Sequence, residues 1–102
     1  MVKLIDDKQN ELKDLCIRFG VKTLAVFGSA AQGEGFTDQS DLDFLVEFLP
    51  TSPADHADVY FGLLNALKEL FGRGIDLLEV KAIDNPYLLE SINQHRVELY
   101  AA

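Results

Sequence analysis

The 102-residue chain has little of several features that mark particular protein classes. Its one cysteine, Cys16, cannot form an internal disulfide, and a single thiol does not make a zinc site. No apolar run approaches the roughly 20 residues that a membrane-spanning helix needs. A polar stretch follows Met1 directly, which is unlike a signal peptide. These absences predict a cytoplasmic protein that is not associated with a membrane.

Basic residues are also scarce, since nine Lys and Arg stand against seventeen Asp and Glu, for a formal net charge of −8. No Lys or Arg occurs between Thr23 and Leu67. Proteins that bind nucleic acid in its grooves use Lys and Arg to neutralise phosphates, so direct nucleic-acid binding is not expected. If this stretch handles phosphate, the positive charge must come from metal ions, backbone N–H groups or a partner.

Hydrophobic periodicity predicts alternating helices and short strands. We expect helix 6–19 ending at Gly20, strand 23–27, a short helix and loop over 30–40, strand 41–48, a helix from Ser52-Pro53 to Gly72, strand 75–80, a helix from Asn85-Pro86, and a strand or helical tail over 97–100. This order predicts one α/β domain over residues 1–102, with a small mixed β-sheet packed against helices.

Three aspartates occur where packing alone would not place them. Asp41 and Asp43 alternate with apolar residues, so their carboxylates leave the same face of a strand. Asp76 interrupts an apolar strand, where an unpaired ionised carboxylate is expensive to bury. Each aspartate alone could be solvated on an edge strand or at a strand end. Together, three carboxylates on neighbouring strands could hold a pair of Mg²⁺ ions together with substrate phosphates.

The pair Gly28-Ser29 follows a predicted buried strand and precedes a predicted helix start, where backbone N–H groups can bind phosphate. A tight turn with Ser29 as the helix N-cap is the alternative. The neighbouring motifs favour the phosphate interpretation, because after eleven intervening residues the chain reads Asp41-Leu42-Asp43 and a lone aspartate follows in a later strand.

With these motifs the sequence resembles the minimal nucleotidyltransferases of the DNA polymerase beta-like superfamily, whose signature is Gly-Ser followed at a short distance by Asp-x-Asp. The matching segments are 27–29, 40–46 and 75–77, and 85–87 with 96–101 resemble the family's C-terminal part. The resemblance implies a nucleotidyltransferase palm of four or five strands. In such a palm Gly28 and Ser29 would bind a nucleotide triphosphate, while Asp41, Asp43 and Asp76 would bind Mg²⁺ and serve catalysis, with Asp76 helping to activate the acceptor hydroxyl.

The same resemblance implies a reaction, the transfer of AMP from ATP to a hydroxyl with the help of Mg²⁺. Similar proteins are commonly encoded beside a HEPN-domain ribonuclease, and in some of these toxin–antitoxin pairs the nucleotidyltransferase adenylylates a tyrosine of the toxin. A HEPN-domain protein is therefore the expected partner and antitoxin the expected role. Homo-oligomer formation is left open.

Two features depart from the family pattern. Gln32 stands where a basic residue is usual, and the loop from Ser29 to Asp41 is one residue longer than the commonest spacing. The absence of a basic residue at position 32 and the net charge of −8 favour an alternative. In this alternative the chain is a non-catalytic subunit that neutralises a HEPN ribonuclease by contact. The three carboxylates favour the enzyme, because their repulsion would destabilise a pure interaction module. A nucleotide-sensing domain that binds ATP without transfer is a third alternative.

Other side chains have simpler expected roles. Tyr60, Phe61 and Phe71 are predicted to pack in the core with their helix, and Cys16 is predicted to be a small buried residue. His56 is expected at the surface because no metal-ligand spacing surrounds it.

Overall fold

The computed structural model describes residues 1–102 as a four-stranded sheet with helices packed on both faces. The helices are α1 (Lys3–Asp6), α2 (Gln9–Arg18), α3 (Gly28–Gln32), α4 (Pro53–Phe71) and α5 (Pro86–His95), with a 3₁₀ turn at Val80–Ala82. The strands are β1 (Val21–Phe27), β2 (Leu42–Phe48), β3 (Ile75–Glu79) and β4 (Val97–Ala101). The predicted α/β class and the small mixed sheet are confirmed.

The sheet has the order β3-β2-β1-β4, so β2 is an interior strand and β3 lies at an edge. Strand β1 runs antiparallel to both β2 and β4, and β2 runs parallel to β3. The register places Asp43 opposite Phe27 on one side and opposite Asp76 on the other. Of the two structures predicted for 97–100, the strand is the one observed.

Cap residues define where the longer helices α4 and α5 begin and where α4 ends. The Ser52 hydroxyl accepts a hydrogen bond from the Asp55 N–H at 3.2 Å, which fixes the start of α4 at Pro53. The helix ends at Gly72, whose φ of +64° is the left-handed conformation that glycine adopts without strain. Asn85 caps α5 by accepting hydrogen bonds from the N–H groups of Tyr87 and Leu88. Both predicted helix starts are confirmed.

The two faces of the sheet are covered unequally. On one face Leu42, Phe44 and Val46 are fully buried in the main core, beneath α2 and α4. On the other face a small cluster of Ala25, Leu45 and Ile92 lies beneath α5. α5 packs on this second face but does not cover all of it, so part of the face is open to solvent. The three aspartates lie in that open part.

Two sequence predictions are wrong in detail. The helix predicted over 6–19 is two helices, because the backbone leaves the helical conformation at Lys8. The preceding turn brings Ile5 into the core, and the Val2 N–H donates to the Ala30 carbonyl at 2.9 Å. Phe61 is 59% exposed rather than buried, because it lies on the outer side of α4 with its ring edge-on to Tyr60. None of the helices combines the length and hydrophobicity that crossing a membrane requires.

Candidate functional site

Gly28 lies at the turn between β1 and α3, and both its backbone conformation and its contacts favour glycine there. Its φ is +68°, a conformation that costs other residues free energy. A Cβ at this position would also collide with the Asp43 Oδ2, so that any side chain here would displace Asp43. Ser29 follows in the first turn of α3, half-buried, and Gly33 ends that short helix with a φ of +80°. The turn therefore brings bare backbone against a carboxylate.

The three predicted aspartates lie at one end of the β2–β3 pair. Asp43 and Asp76 are direct partners in the parallel register, and Asp41 precedes β2 by one residue. The Leu42 N–H donates to the Gly74 carbonyl at 3.0 Å, and a Cβ at Gly74 would collide with the Asp41 carboxylate in its present position. These contacts bring Asp41, Asp43, Asp76 and Gly28 together.

The aspartates differ in their exposure. Asp43 is half-buried, whereas Asp41 and Asp76 are exposed. The expectation that Asp76 is enclosed in an apolar strand is wrong, because β3 is the edge strand and its start is not covered by a helix. Its exposure leaves the Asp76 carboxylate accessible to a ligand.

Burial and like charge both act on Asp43. Partial burial raises the pKa of the Asp43 carboxyl, and the negative charges of Asp76 and then Asp41 raise it further. A hydrogen bond with the Asp76 side chain acts in the same direction. None of the three aspartates is in an ion pair. The site therefore concentrates negative charge that the protein's own cations do not neutralise.

The three carboxylates are chemically suited to binding a hard divalent cation. In their present positions, however, they do not form a set of metal ligands. No three His, Cys, Asp or Glu side chains form a group that could hold a metal ion as they stand. Oxygen ligands of this kind are those that Mg²⁺ uses, often with several waters retained. Asp41 and Asp76 are exposed, so their side chains can change rotamer and turn towards a cation beside Asp43.

Arg73 is a neighbour of the site that the sequence analysis did not single out. Its Nη1 donates to the carbonyls of Thr37 and Ser40 at 3.2 and 3.1 Å, and its guanidinium lies 4.9 Å from the centre of the Phe36 ring. The stretch without Lys or Arg therefore receives a basic side chain from elsewhere in the chain. Pairing the two aspartate-bearing strands in parallel would have revealed it, since Arg73 precedes Asp76 by as many residues as Ser40 precedes Asp43.

His56 is not the free surface residue that was expected. It is half-buried, its Nε2 lies 2.8 Å from the Glu79 Oε1, and its ring meets Phe48 edge-on. A cavity of about 210 Å³ adjoins this pair. The pair joins α4 to the end of β3, on the face of the sheet opposite the three aspartates.

Comparisons with known proteins agree on a family. Residues 9–99 match the nucleotidyltransferase domain family. A protein of Methanocaldococcus jannaschii, named provisionally as a protein adenylyltransferase, is 39% identical over 83 residues, or 81% of this chain and 78% of that protein. A second such protein of the same organism is 42% identical over 77 residues, or 76% of this chain and 74% of its own length.

Solved structures share the fold. One named provisionally as a minimal nucleotidyltransferase superposes with a TM-score of 0.67 at 30% identity, covering 94% of this chain and 95% of its own. A crystal structure of a toxin–antitoxin with AMP-PNP gives a TM-score of 0.71 at 19% identity, over 92% of this chain and 73% of that one. A tri-AMPylated Shewanella oneidensis HEPN toxin in complex with an MNT antitoxin gives 0.60 at 15% identity, over 95% and 72%. At these lower identities the likeness is one of fold.

Proposed function

Because the chain belongs to the nucleotidyltransferase family, among its minimal members, we propose that it transfers AMP from ATP to a tyrosine hydroxyl of a HEPN-type toxin and so acts as an antitoxin. The observation that carries this proposal is the pairing of Asp43 with Asp76 beside the bare backbone of Gly28. The names of the relatives, which include protein adenylyltransferases and an antitoxin bound to an AMPylated toxin, support the choice of reaction and acceptor.

In this proposal Asp41, Asp43 and Asp76 hold Mg²⁺. When bound, Mg²⁺ would neutralise the charge of the triphosphate and lower the pKa of the acceptor hydroxyl. The acceptor oxygen attacks the α-phosphorus of ATP, the bond to the β-phosphate oxygen breaks, and pyrophosphate leaves. Asp76 accepts the hydroxyl proton, since it is exposed at the edge of the sheet where an acceptor can approach.

Gly28 and Ser29 bind the triphosphate. Both residues lie at the start of α3, where backbone N–H groups are free of partners within the helix and can bind phosphate, and the Ser29 hydroxyl adds a hydrogen-bond donor. The AMP-PNP in one structure of the same fold supports a nucleoside triphosphate as the donor. Gln32 cannot supply the positive charge that a basic residue there would give.

The acceptor is a residue of another protein. The net charge of −8 suits docking with a basic partner, as a ribonuclease that binds RNA would be. The structure of the same fold in which an MNT antitoxin is bound to a HEPN toxin supports a HEPN partner. A cytoplasmic location, where ATP is abundant, fits the reaction.

The experiment is a transfer assay with ATP labelled at the α-phosphate, Mg²⁺ and a HEPN-family protein from the same genome. We expect label on the tyrosine of the HEPN protein with the wild-type chain. Asp41→Asn/Asp43→Asn should reduce transfer about 100-fold or more, because even residues outside the first coordination sphere change activity about 10- to 100-fold when they are replaced. Glu47→Gln is the matched control, because Glu47 is on the same strand but pairs with Lys22.

Two other results would contradict the proposal. Tight complex formation without label, equal for the wild type and the double variant, would support the non-catalytic binding subunit. Binding of labelled ATP that depends on Mg²⁺, without transfer to any acceptor, would support the nucleotide sensor.

A further inference from the structure

The loop over residues 33–40 connects the proposed phosphate-binding turn to the first proposed metal ligand. It contains Gly33 and Gly35, both at positive φ, and its hydrogen bonds to its own side chains join Thr37, Gln39 and Ser40. Most of its residues are exposed. Phe36 packs against the main core, and a second contact from elsewhere in the chain holds the loop next to the site.

Arg73 makes that contact at three points. Its Nη1 bridges the carbonyls of Thr37 and Ser40, and its guanidinium covers the Phe36 ring. The planar guanidinium suits this combination, because it can donate to two acceptors while stacking on an aromatic ring. The left-handed turn at Gly72 ends α4 and lets Arg73 leave the helix towards the loop.

The contact is placed next to Asp41. Ser40, whose carbonyl Arg73 holds, is the neighbour of Asp41 on one side. On the other side, the Leu42 N–H is held by the Gly74 carbonyl, and Gly74 packs against the Asp41 carboxylate itself. The dipeptide Arg73-Gly74 thus fixes the backbone before and after Asp41, and the absence of a Cβ at Gly74 leaves the space that the Asp41 carboxylate occupies.

We infer that Arg73 is a positioning residue that sets Asp41 for cation binding by holding the loop before it. The inference rests on the proposed function, because it takes Asp41 to be a metal ligand. Residues that orient metal ligands from outside the first coordination sphere typically change affinity 10- to 100-fold when they are replaced. Arg73 is the basic side chain that the structure puts against the base-free stretch, and it acts there through backbone carbonyls rather than through a carboxylate.

The test uses Mn²⁺ as the probe, with binding to the full chain followed by electron paramagnetic resonance. We expect Arg73→Ala to weaken Mn²⁺ binding about 10- to 100-fold. Arg73→Lys keeps the charge but loses the fork and the stacked plane, so it should recover only part of the affinity. Lys81→Ala, which removes an exposed basic residue away from this loop, should bind as the wild type does. Amide hydrogen exchange should become faster over residues 36–41 in Arg73→Ala.

A second variant approaches Asp41 from its other side. Gly74 does not have a positive φ, so Gly74→Ala tests the collision with the Asp41 carboxylate rather than backbone strain. We expect it to weaken Mn²⁺ binding while the far-ultraviolet circular dichroism of the chain is kept. It therefore tests the positioning of Asp41 even if Arg73→Ala does not fold.

The outcomes separate the two proposals. If the wild type binds Mn²⁺ and Arg73→Ala binds it equally well, Arg73 has only a structural role and this inference is overturned while the proposed function stands. If the wild type binds no Mn²⁺, or Asp41→Asn/Asp43→Asn leaves its binding unchanged, the metal site itself is wrong and both proposals fail.

Discussion

The two faces of β2 differ in burial and charge, although the same strand forms both. On the face towards α4, Leu42, Phe44 and Val46 are fully buried and touch other apolar side chains. On the other face Asp43 is only half-buried and meets like charges. Since alternate residues of one strand make both faces, the difference does not come from the backbone. It comes from the coverage, which is complete on one face and partial on the other.

Strand β3 repeats this contrast with two carboxylates. Glu79 faces α4, and its Oε1 lies 2.8 Å from the His56 Nε2, within hydrogen-bond distance. Asp76 leaves the opposite face and meets Asp43, with no cation of the protein beside it. The protein can therefore pair a carboxylate where it needs one for structure. The unpaired carboxylates three residues away support the proposal that this charge serves to bind a ligand.

The largest effect should come from the buried face. Phe44 is fully buried and stacks on Phe71 with ring centres 6.0 Å apart. Phe44→Ala should lower the free energy of unfolding by about 3–5 kcal/mol, because it removes a large apolar side chain and leaves a cavity. Urea unfolding followed by circular dichroism measures it. A loss below about 1 kcal/mol would mean that this face is not the core of the fold.

A smaller loss in the free energy of unfolding is expected when Gly28, between β1 and the site, is replaced. Two causes of this loss can be separated. Gly20 and Gly28 have nearly the same φ, +66° and +68°, but only Gly28 lies against a side chain, that of Asp43. Gly20→Ala should therefore cost about 1–2 kcal/mol for the left-handed conformation alone. Gly28→Ala should cost more, because Asp43 must also move.

Thermal unfolding of the two glycine variants side by side measures the difference. Equal losses of stability would show that the Asp43 side chain moves aside at little cost. They would weaken the view that Gly28 is required by the position of Asp43. A larger loss for Gly28→Ala, together with a loss of ATP binding, would support it.

The fold was largely predictable because its local signals agree with its packing. The caps at Ser52 and Asn85 and the alternation of Leu42 to Phe48 depend on neighbours in sequence, and they gave the right elements. The break at Lys8 was missed because residues 6–11 are all polar, so that no apolar side chain marks where the helix begins. Whether 97–100 forms a strand depends on pairing with β1, which the segment itself does not encode.

The site was predictable where residues are close in sequence or match a motif. The shared face of Asp41 and Asp43 follows from strand alternation, and the contact of Asp43 with Asp76 follows once the strands are parallel neighbours. The exposure of Asp76, the pairing of His56 with Glu79 and the position of Arg73 could not be read in the same way. Each depends on which strand is at the edge or on a side chain that crosses between distant elements.

The contrast between the carboxylates of β3 can be sharpened by removing each charge. Glu79→Gln should lower the free energy of unfolding by about 1 kcal/mol, because it replaces a charged acceptor for His56 by a neutral one. Asp76→Asn should change it by less than about 0.5 kcal/mol in the absence of divalent cations, since Asp76 is exposed. Chemical unfolding in EDTA measures both. Similar losses for the two would mean that Asp76 also has a structural partner.

The smallest effect, and the one with an unusual sign, is expected from Asp43→Asn. The native pKa of Asp43 is raised above its ordinary value of 3.8, chiefly by burial and then by the charges of Asp76 and Asp41. The native chain thus holds this proton more tightly than the unfolded chain, so its stability falls as the pH rises from about 3.8 through the native pKa. Asparagine does not titrate, so the variant does not lose stability in this way as the pH rises. In EDTA at pH 7 the variant should be more stable than the wild type, with a Tm higher by less than about 4 °C because the site is partly exposed.

The pH and cation dependence distinguish this effect from a general relief of negative charge. The advantage of Asp43→Asn should shrink as the pH falls below about 3.8, where the wild-type carboxyl is protonated in both states. Asp38→Asn removes the same charge from an exposed loop and should leave Tm unchanged. Added Mg²⁺ should reverse the order at pH 7, because it stabilises only a chain that can bind it. If the variant is instead less stable than the wild type in EDTA at pH 7, Asp43 serves the fold, and the open face of β2 is not reserved for a ligand.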